Sequence, residues 1–271
     1  MDRLTEHTLI PRTTIQRWYK RVSNMSYKQR RALADELIAD PSPLVAEFLD
    51  GVATFAPYNN VAEGFYSNKN RAPKKPDTLG AILRTHHVAW YLRQQRTLEV
   101  RDAPELKAEY LDYEIAPART TGHAKFDDGG TWRSGVFIDL LLASCAPPRT
   151  PIVAELKIRA DKDPFTALIQ SLACAAHLAT QHQYNRLRQH VPAGGFRATD
   201  RPRLDVYVLL YRFLETQQDD LEALDSNADA LSGLLLHRPE VAAYVRRIAC
   251  IAVELGSDGK LTGTCRWQHG G

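Results

Sequence analysis

Apolar positions recur at helical spacing through the first fifty residues and then give way to runs of strand length. Ile15, Trp18, Tyr19 and Val22 fall at i, i+3, i+4 and i+7, which predicts a helix capped by Thr13 or Thr14. Its opposite face carries Arg17, Lys20 and Arg21. Ser26-Tyr27-Lys28-Gln29 has the form of a capping box and opens a second helix to about Ala39, with Leu33, Leu37 and Ile38 on its apolar side. Asp40-Pro41-Ser42-Pro43 stops it, and Ser42 with Pro43 starts a third helix to about Val52. Three short helices with a basic face fit a helix-turn-helix reader of DNA, or a helical cap packed on the rest of the chain.

Residues 53–76 are less regular and end in an exposed basic stretch, Ser67 to Pro76, that includes Lys74 and Lys75. Asp77 caps a predicted helix to about Gln95, with Leu79, Ile82, Leu83, His86 and Trp90 as its stripe and His87 beside it. A strand is expected near Tyr110–Ile115, and Asp127-Asp128-Gly129-Gly130 signals a hairpin turn. Two apolar runs follow, Val136 to Ala143 and Pro151 to Ile158, of strand length and apolar on both faces. Asp163-Pro164 opens a long helix whose packed face is Leu168, Leu172, Ala175, Ala176 and Ala179, with Gln170, Cys174, His177 and Gln181 on a neighbouring face. Leu204–Tyr211 reads as another buried strand. Leu214–Leu236 and Glu240–Val245 read as helices, and Ile248–Leu255 with Leu261–Trp267 as a closing hairpin.

This order predicts an α/β protein: a mixed central sheet flanked by helices, an α/β/α sandwich, with an N-terminal helical region. The division expected is 1–76, basic, helical and ending in a linker, and 77–271, the main domain.

Composition narrows the class. The chain of 271 residues is 44% apolar and 25% charged, in the ordinary globular range. No apolar run approaches a membrane span, and from the charged start no secretory leader is expected. Cys145, Cys174, Cys250 and Cys265 are scattered and form no zinc spacing, so buried thiols in the cytoplasm are expected. Residues 1–76 hold twelve Lys/Arg and eight Asp/Glu, a net of +4, while the remainder nets −1. A basic excess confined to the N-terminal region suits nucleic acid, and equally a solvated helical surface.

The chemistry sits in the two apolar runs, which carry charges that an interior strand excludes unless they are paired or bound to metal. Glu155 and Lys157 are two apart and share a face. If the two strands form an antiparallel hairpin about the connection Ser144–Thr150, Asp139 falls opposite Glu155, on that same face. Two adjacent carboxylates need positive charge between them. Lys157 serves one of them, and a hard divalent cation serves both, taking one or two carboxylates plus water and phosphate oxygens.

These residues resemble the signature of the PD-(D/E)xK, or restriction-endonuclease-like, nucleases. Ile138-Asp139 is followed after 15 residues by Glu155-Leu156-Lys157. The resemblance implies that Asp139 and Glu155, with the Leu156 carbonyl, bind Mg²⁺ or Mn²⁺ and that Lys157 assists the attacking water. Gln170 on the following helix matches a further catalytic position, and His86 or His87 matches a metal-binding histidine of RecB-like members. It also implies a restriction-endonuclease-like core over residues 77–211, a nucleic-acid substrate, DNA before RNA, and a homodimer where both strands are cut; the basic helical face and linker make Arg17, Lys20, Arg21, Lys74 and Lys75 the expected backbone contacts. The first motif position holds Ile138 in place of proline, the expected helix Asp77–Gln95 has no glutamate, and Cys174 stands where a tyrosine is usual in RecB-like members.

Two other readings stay open. The charges can form a cross-strand salt-bridge network on a wet sheet face, or the fold can serve as a non-catalytic nucleic-acid-binding or assembly module. A serine or cysteine hydrolase has no GxSxG elbow to rest on, and the chain has no P-loop or dinucleotide fingerprint.

Overall fold

The computed structural model describes residues 14–56, 66–67, 85–116, 137–158, 163–212 and 219–271. The helices are α1 (Thr14–Ser23), α2 (Tyr27–Ala39), α3 (Ser42–Phe55), α4 (Thr85–Gln95), α5 (Pro164–Leu178), α6 (Gln181–His190), α7 (Asp219–Leu236) and α8 (Pro239–Ala242). The strands are β1 (Tyr66–Ser67), β2 (Thr97–Val100), β3 (Ala108–Ala116), β4 (Ile138–Ser144), β5 (Pro151–Ile158), β6 (Leu204–Tyr211), β7 (Val245–Leu255) and β8 (Leu261–Gly270).

The sheet runs β1-β3-β2-β8-β7-β6-β5-β4, and β4 then pairs back onto β3. This closes a mixed barrel of seven strands, β2 to β8, which corrects the open α/β/α sandwich expected from the element order. The pairs β5–β6, β6–β7 and β2–β8 are parallel, and the rest are antiparallel. Closure depends on β3, which bonds β2 along one edge and β4 along the other. Pairing both edges leaves no exposed row of backbone donors and acceptors on β4 or β2.

Alternate residues of the strands divide between two apolar clusters. Leu140, Leu142, Ile152, Ala154, Leu156, Tyr207, Leu209, Ala249, Ile251 and Val253 fill one, together with Val88, Ala89 and Leu92 of α4. Leu141, Ala143, Val153, Val206, Val208, Leu210, Ile248 and Cys250 join the other, which also takes residues of α1, α2, α3, α5 and α7. Five helices cannot fit inside so narrow a barrel. The first cluster is therefore the barrel interior and the second lies on its outer wall, so the N-terminal helices help build the main core.

Local sequence accounts for much of the helical layer. Ser26 caps α2 as a full capping box: its hydroxyl accepts from the Gln29 N–H and its own N–H donates to Gln29 Oε1 at 2.9 Å. Asp163 caps α5, accepting from the N–H groups of Phe165 and Thr166 at 3.0 and 3.2 Å. Every residue of α5 is buried, because the helix lies between β5 and β6 on one side and α1, α3 and α7 on the other. Phe165, Leu168, Ile169 and Leu172 are all sealed from water there, each burial contributing about 1.5–3 kcal/mol. Gly51 of α3 allows the close approach. A Cβ there would meet the Ala176 methyl at 3.0 Å and Ile15 Cγ2 at 3.2 Å.

Several element boundaries differ from expectation. The long helix after Asp163 ends at Leu178, and Thr180 caps α6 as a separate helix. The helix expected at Glu240–Val245 shortens to α8, and β7 begins at Val245. Strand β2 was not anticipated. Residues 77–84 of the expected Asp77–Gln95 helix, the Asp127–Gly130 turn and the basic stretch with Lys74 and Lys75 lie outside the described residues. Among the described residues all four cysteines are free, and no helix is long and apolar enough to cross a membrane.

Candidate active site

Strands β4 and β5 pair with Leu140 opposite Ala154, Leu141 opposite Val153 and Leu142 opposite Ile152. This is the register expected from the position of their connection, and it carries Asp139 across from Glu155. Leu141, Ala143 and Val153, which alternate with the interior residues, belong to the outer-wall cluster. Asp139, Glu155 and Lys157 take the same alternation, so they project from the outer wall under α5 and α1 rather than into the barrel.

The contacts among them are specific. Lys157 Nζ donates to Glu155 Oε1 at 2.9 Å and to Gln170 Oε1 of α5 at 3.3 Å. The recorded β4–β5 ladder stops at Ala154. Beyond it the Leu156 N–H turns to the Asp139 carboxylate, at 3.0 Å to Oδ2. Glu155, Lys157 and Gln170 are only 3%, 6% and 6% exposed, whereas Asp139 is half-buried.

Burial dominates the electrostatics. Desolvation, and then the neighbouring Asp139, push the Glu155 carboxyl well above its ordinary value, with Lys157 only partly offsetting them. Asp139 is also raised, chiefly by desolvation, against the pull of Lys157 and of the Leu156 N–H. One ammonium, Lys157, thus stands beside two carboxyls. Two hard oxygen donors in that condition suit Mg²⁺ or Mn²⁺, which take one or two protein carboxylates and fill their remaining positions with water and phosphate oxygens. Among the described residues no cluster of three or more His, Cys, Asp or Glu side chains is placed to hold a metal.

The other expected residues fall in different places. His86 is not brought to the pair. Its helix α4 buries Val88, Ala89 and Leu92 in the barrel interior, a different face from the expected stripe, and His86 packs edge-on against His87 with ring centroids 4.1 Å apart. The Leu156 side chain points into the interior while its backbone N–H serves the site. Arg17, Lys20 and Arg21 are exposed on α1. Lys74 and Lys75 lie outside the described residues.

Three further residues border the cluster. Tyr19 of α1 is half-buried beside it. Burial pushes its hydroxyl up to about 12, and the charges of Lys157, Glu155 and Asp139 all act on it. Cys174 sits one turn beyond Gln170, its thiol donating to the Phe137 carbonyl at 3.5 Å. Burial, and then Glu155 and Asp139, push that thiol well up, so it is a protonated wall residue. Glu114 of β3 lies opposite Asp139, between the pairs Tyr113–Leu140 and Ile115–Ile138, with a left-handed φ of 47°. Its charge adds to the raising of Asp139. Tyr19 stood in the sequence as an apolar stripe position of α1, and only the α1–α5 packing turns it toward the site. No protein-family model, curated protein or solved structure matches this chain.

Proposed function

We propose that the protein is a metal-dependent phosphodiesterase, a nuclease with DNA as the first substrate to test. The observation that carries the reading is the carboxylate pair Asp139 and Glu155, served by a single ammonium, Lys157, which is held between Glu155 and Gln170. The same four side chains carry the resemblance to PD-(D/E)xK nucleases. They support the reading on a closed barrel that differs from the open core of that family.

When bound, Mg²⁺ or Mn²⁺ supplies activation of a water and stabilisation of charge at the phosphoryl group. Asp139 and Glu155 would hold the ion. The Leu156 N–H fixes the Asp139 carboxylate so that one oxygen keeps its aim. Gln170 and Glu155 hold the Lys157 ammonium at the cluster, where it orients the attacking water and offsets negative charge building on the phosphate. Tyr19 keeps its proton at neutral pH and acts only as a neutral wall or donor. The half-buried Asp139 marks the side from which a phosphate reaches the pair.

One panel tests the reading. Linear, circular, single- and double-stranded DNA and RNA are incubated with Mg²⁺, Mn²⁺ or EDTA. Cleavage with metal and none with EDTA is expected. Binding of nucleic acid with no cleavage under any condition would instead favour a non-catalytic binding module.

A further inference from the structure

Helix α1 has two faces with different tasks. Ile15 and Val22 are fully buried in the outer-wall core, and Tyr19 turns toward the carboxylate cluster. Arg17, Lys20 and Arg21 occupy the opposite, exposed side. Lys28 and Arg31 extend the exposed cations onto α2. From Thr14 to Ala34 the chain carries six Lys or Arg and no Asp or Glu. One of the six, Arg30, is used internally. Its guanidinium donates to Asp163 at 2.8 Å and to the Val22 and Ser23 carbonyls at 3.1 Å, fastening the end of α1 to the cap of α5. Among the described residues the other five are paired with no carboxylate.

A solvated helical surface ordinarily intersperses the two signs. Five exposed cations on two successive helices, with no acidic residue from Thr14 to Ala34, make a run of one sign instead. Acidic residues bound the run: Asp35 and Glu36 follow it on α2, and α3, which packs on α1, carries Glu47 and Asp50. We infer that the outer face of α1 and the start of α2 dock the sugar-phosphate backbone of a nucleic acid, with Arg17, Lys20 and Arg21 as the central contacts. This inference rests on the phosphodiesterase reading for what happens next, and adds where the substrate is held. The docking face lies on the far side of a helix about 10 Å across from the Asp139–Glu155 pair. It therefore grips a part of the strand away from the phosphate being cut, and does so without reading sequence.

Counterion release gives a direct measure. Each backbone phosphate contact steepens the fall of log affinity with log salt by about 0.9 for duplex DNA. Binding of a fluorescent duplex is followed by anisotropy in EDTA from 50 to 300 mM salt (roughly the range over which such contacts are screened). The variants are R17Q/K20Q/R21Q, which keeps good helix formers on α1, and Lys260→Gln in the β7–β8 turn as a charge-loss control. The triple variant is expected to lose up to about 2.7 from the slope, and about tenfold or more in affinity at 0.1 M salt. Lys260→Gln should match wild type, and circular dichroism should show α1 retained. Equal slopes for wild type and the triple variant overturn the inference. So does wild-type binding that salt does not weaken, or tighter binding to phosphatidylserine vesicles than to duplex.

A chain that binds duplex through this face yet never cuts keeps this inference and removes the phosphodiesterase reading. A chain that cuts through Asp139 and Glu155, with docking untouched in the triple variant, does the reverse.

Discussion

Replacing Glu155 alone, and then Glu155 and Lys157 together, tests the central contact of the site without any substrate. Glu155 and Lys157 are both almost fully buried and 2.9 Å apart. Removing one partner of a buried ion pair strands the other charge and costs roughly 3–5 kcal/mol. In Glu155→Met, Lys157 keeps Gln170 as an acceptor and Asp139 as a nearby charge, so the cost belongs at the low end, about 3 kcal/mol. For a chain of this size that lowers Tm by roughly 6–12 °C. The double variant E155M/K157M removes both charges and fills the space with side chains of similar length. Asp139, half-buried, keeps its bond from the Leu156 N–H. Its stability should return to within about 1 kcal/mol of wild type. Thermal and urea denaturation at pH 7 in EDTA read both variants. A single variant as stable as wild type, or a double variant no better than the single, would show that Lys157 does not depend on Glu155.

Two more outcomes follow from the same geometry. Asp163→Ala removes the α5 cap and the partner of Arg30, at about 3 kcal/mol in total, and should raise amide exchange in α1 as well as in the first turn of α5. Unchanged exchange in α1 would sever the link through Arg30. In the metal-free protein the raised carboxyls of Glu155 and Asp139 mean that the native state binds more protons than the unfolded state. Stability then falls as pH rises from the ordinary carboxyl value toward the raised native one, and Glu155→Gln should flatten that slope. Added Mn²⁺ replaces those protons, so its Tm increment should grow with pH across the same window, and an increment independent of pH would contradict the assigned ligands.

The candidate site was more legible in the sequence than the scaffold. A short connection between two apolar runs fixes a hairpin register locally, so the placement of Asp139 against Glu155 needed only residues 139–155. The cap at Asp163 put Gln170 on the face of α5 that reaches Lys157. Barrel closure had no such local signal. It depends on β3 pairing along both edges, and on β2, four residues beginning after Arg96 at a left-handed φ of 72°. Thr97-Leu98-Glu99-Val100 is too short for its alternation to stand out from the preceding helix. The face of α4 also differs from the expected stripe, which leans on Leu79, Ile82 and Leu83, outside the described residues. The buried face is Val88, Ala89 and Leu92. Tyr19 and Glu114 reach the site from elements distant in sequence, and their spacing alone placed neither there.

Cleavage by Glu155→Gln beside wild type tests the account most directly. The substitution keeps shape and an acceptor for Lys157 but removes a carboxylate from the proposed metal pair. Loss of a residue that merely supports a metal ligand commonly costs 10–100-fold, and loss of a ligand should cost at least as much. On the best substrate of the panel, with Mg²⁺ or Mn²⁺, the variant should therefore fall by about 100-fold or more while its circular dichroism stays that of wild type. Cleavage by folded Glu155→Gln within a few-fold of wild type would contradict the assignment of Asp139 and Glu155 as the metal-binding pair.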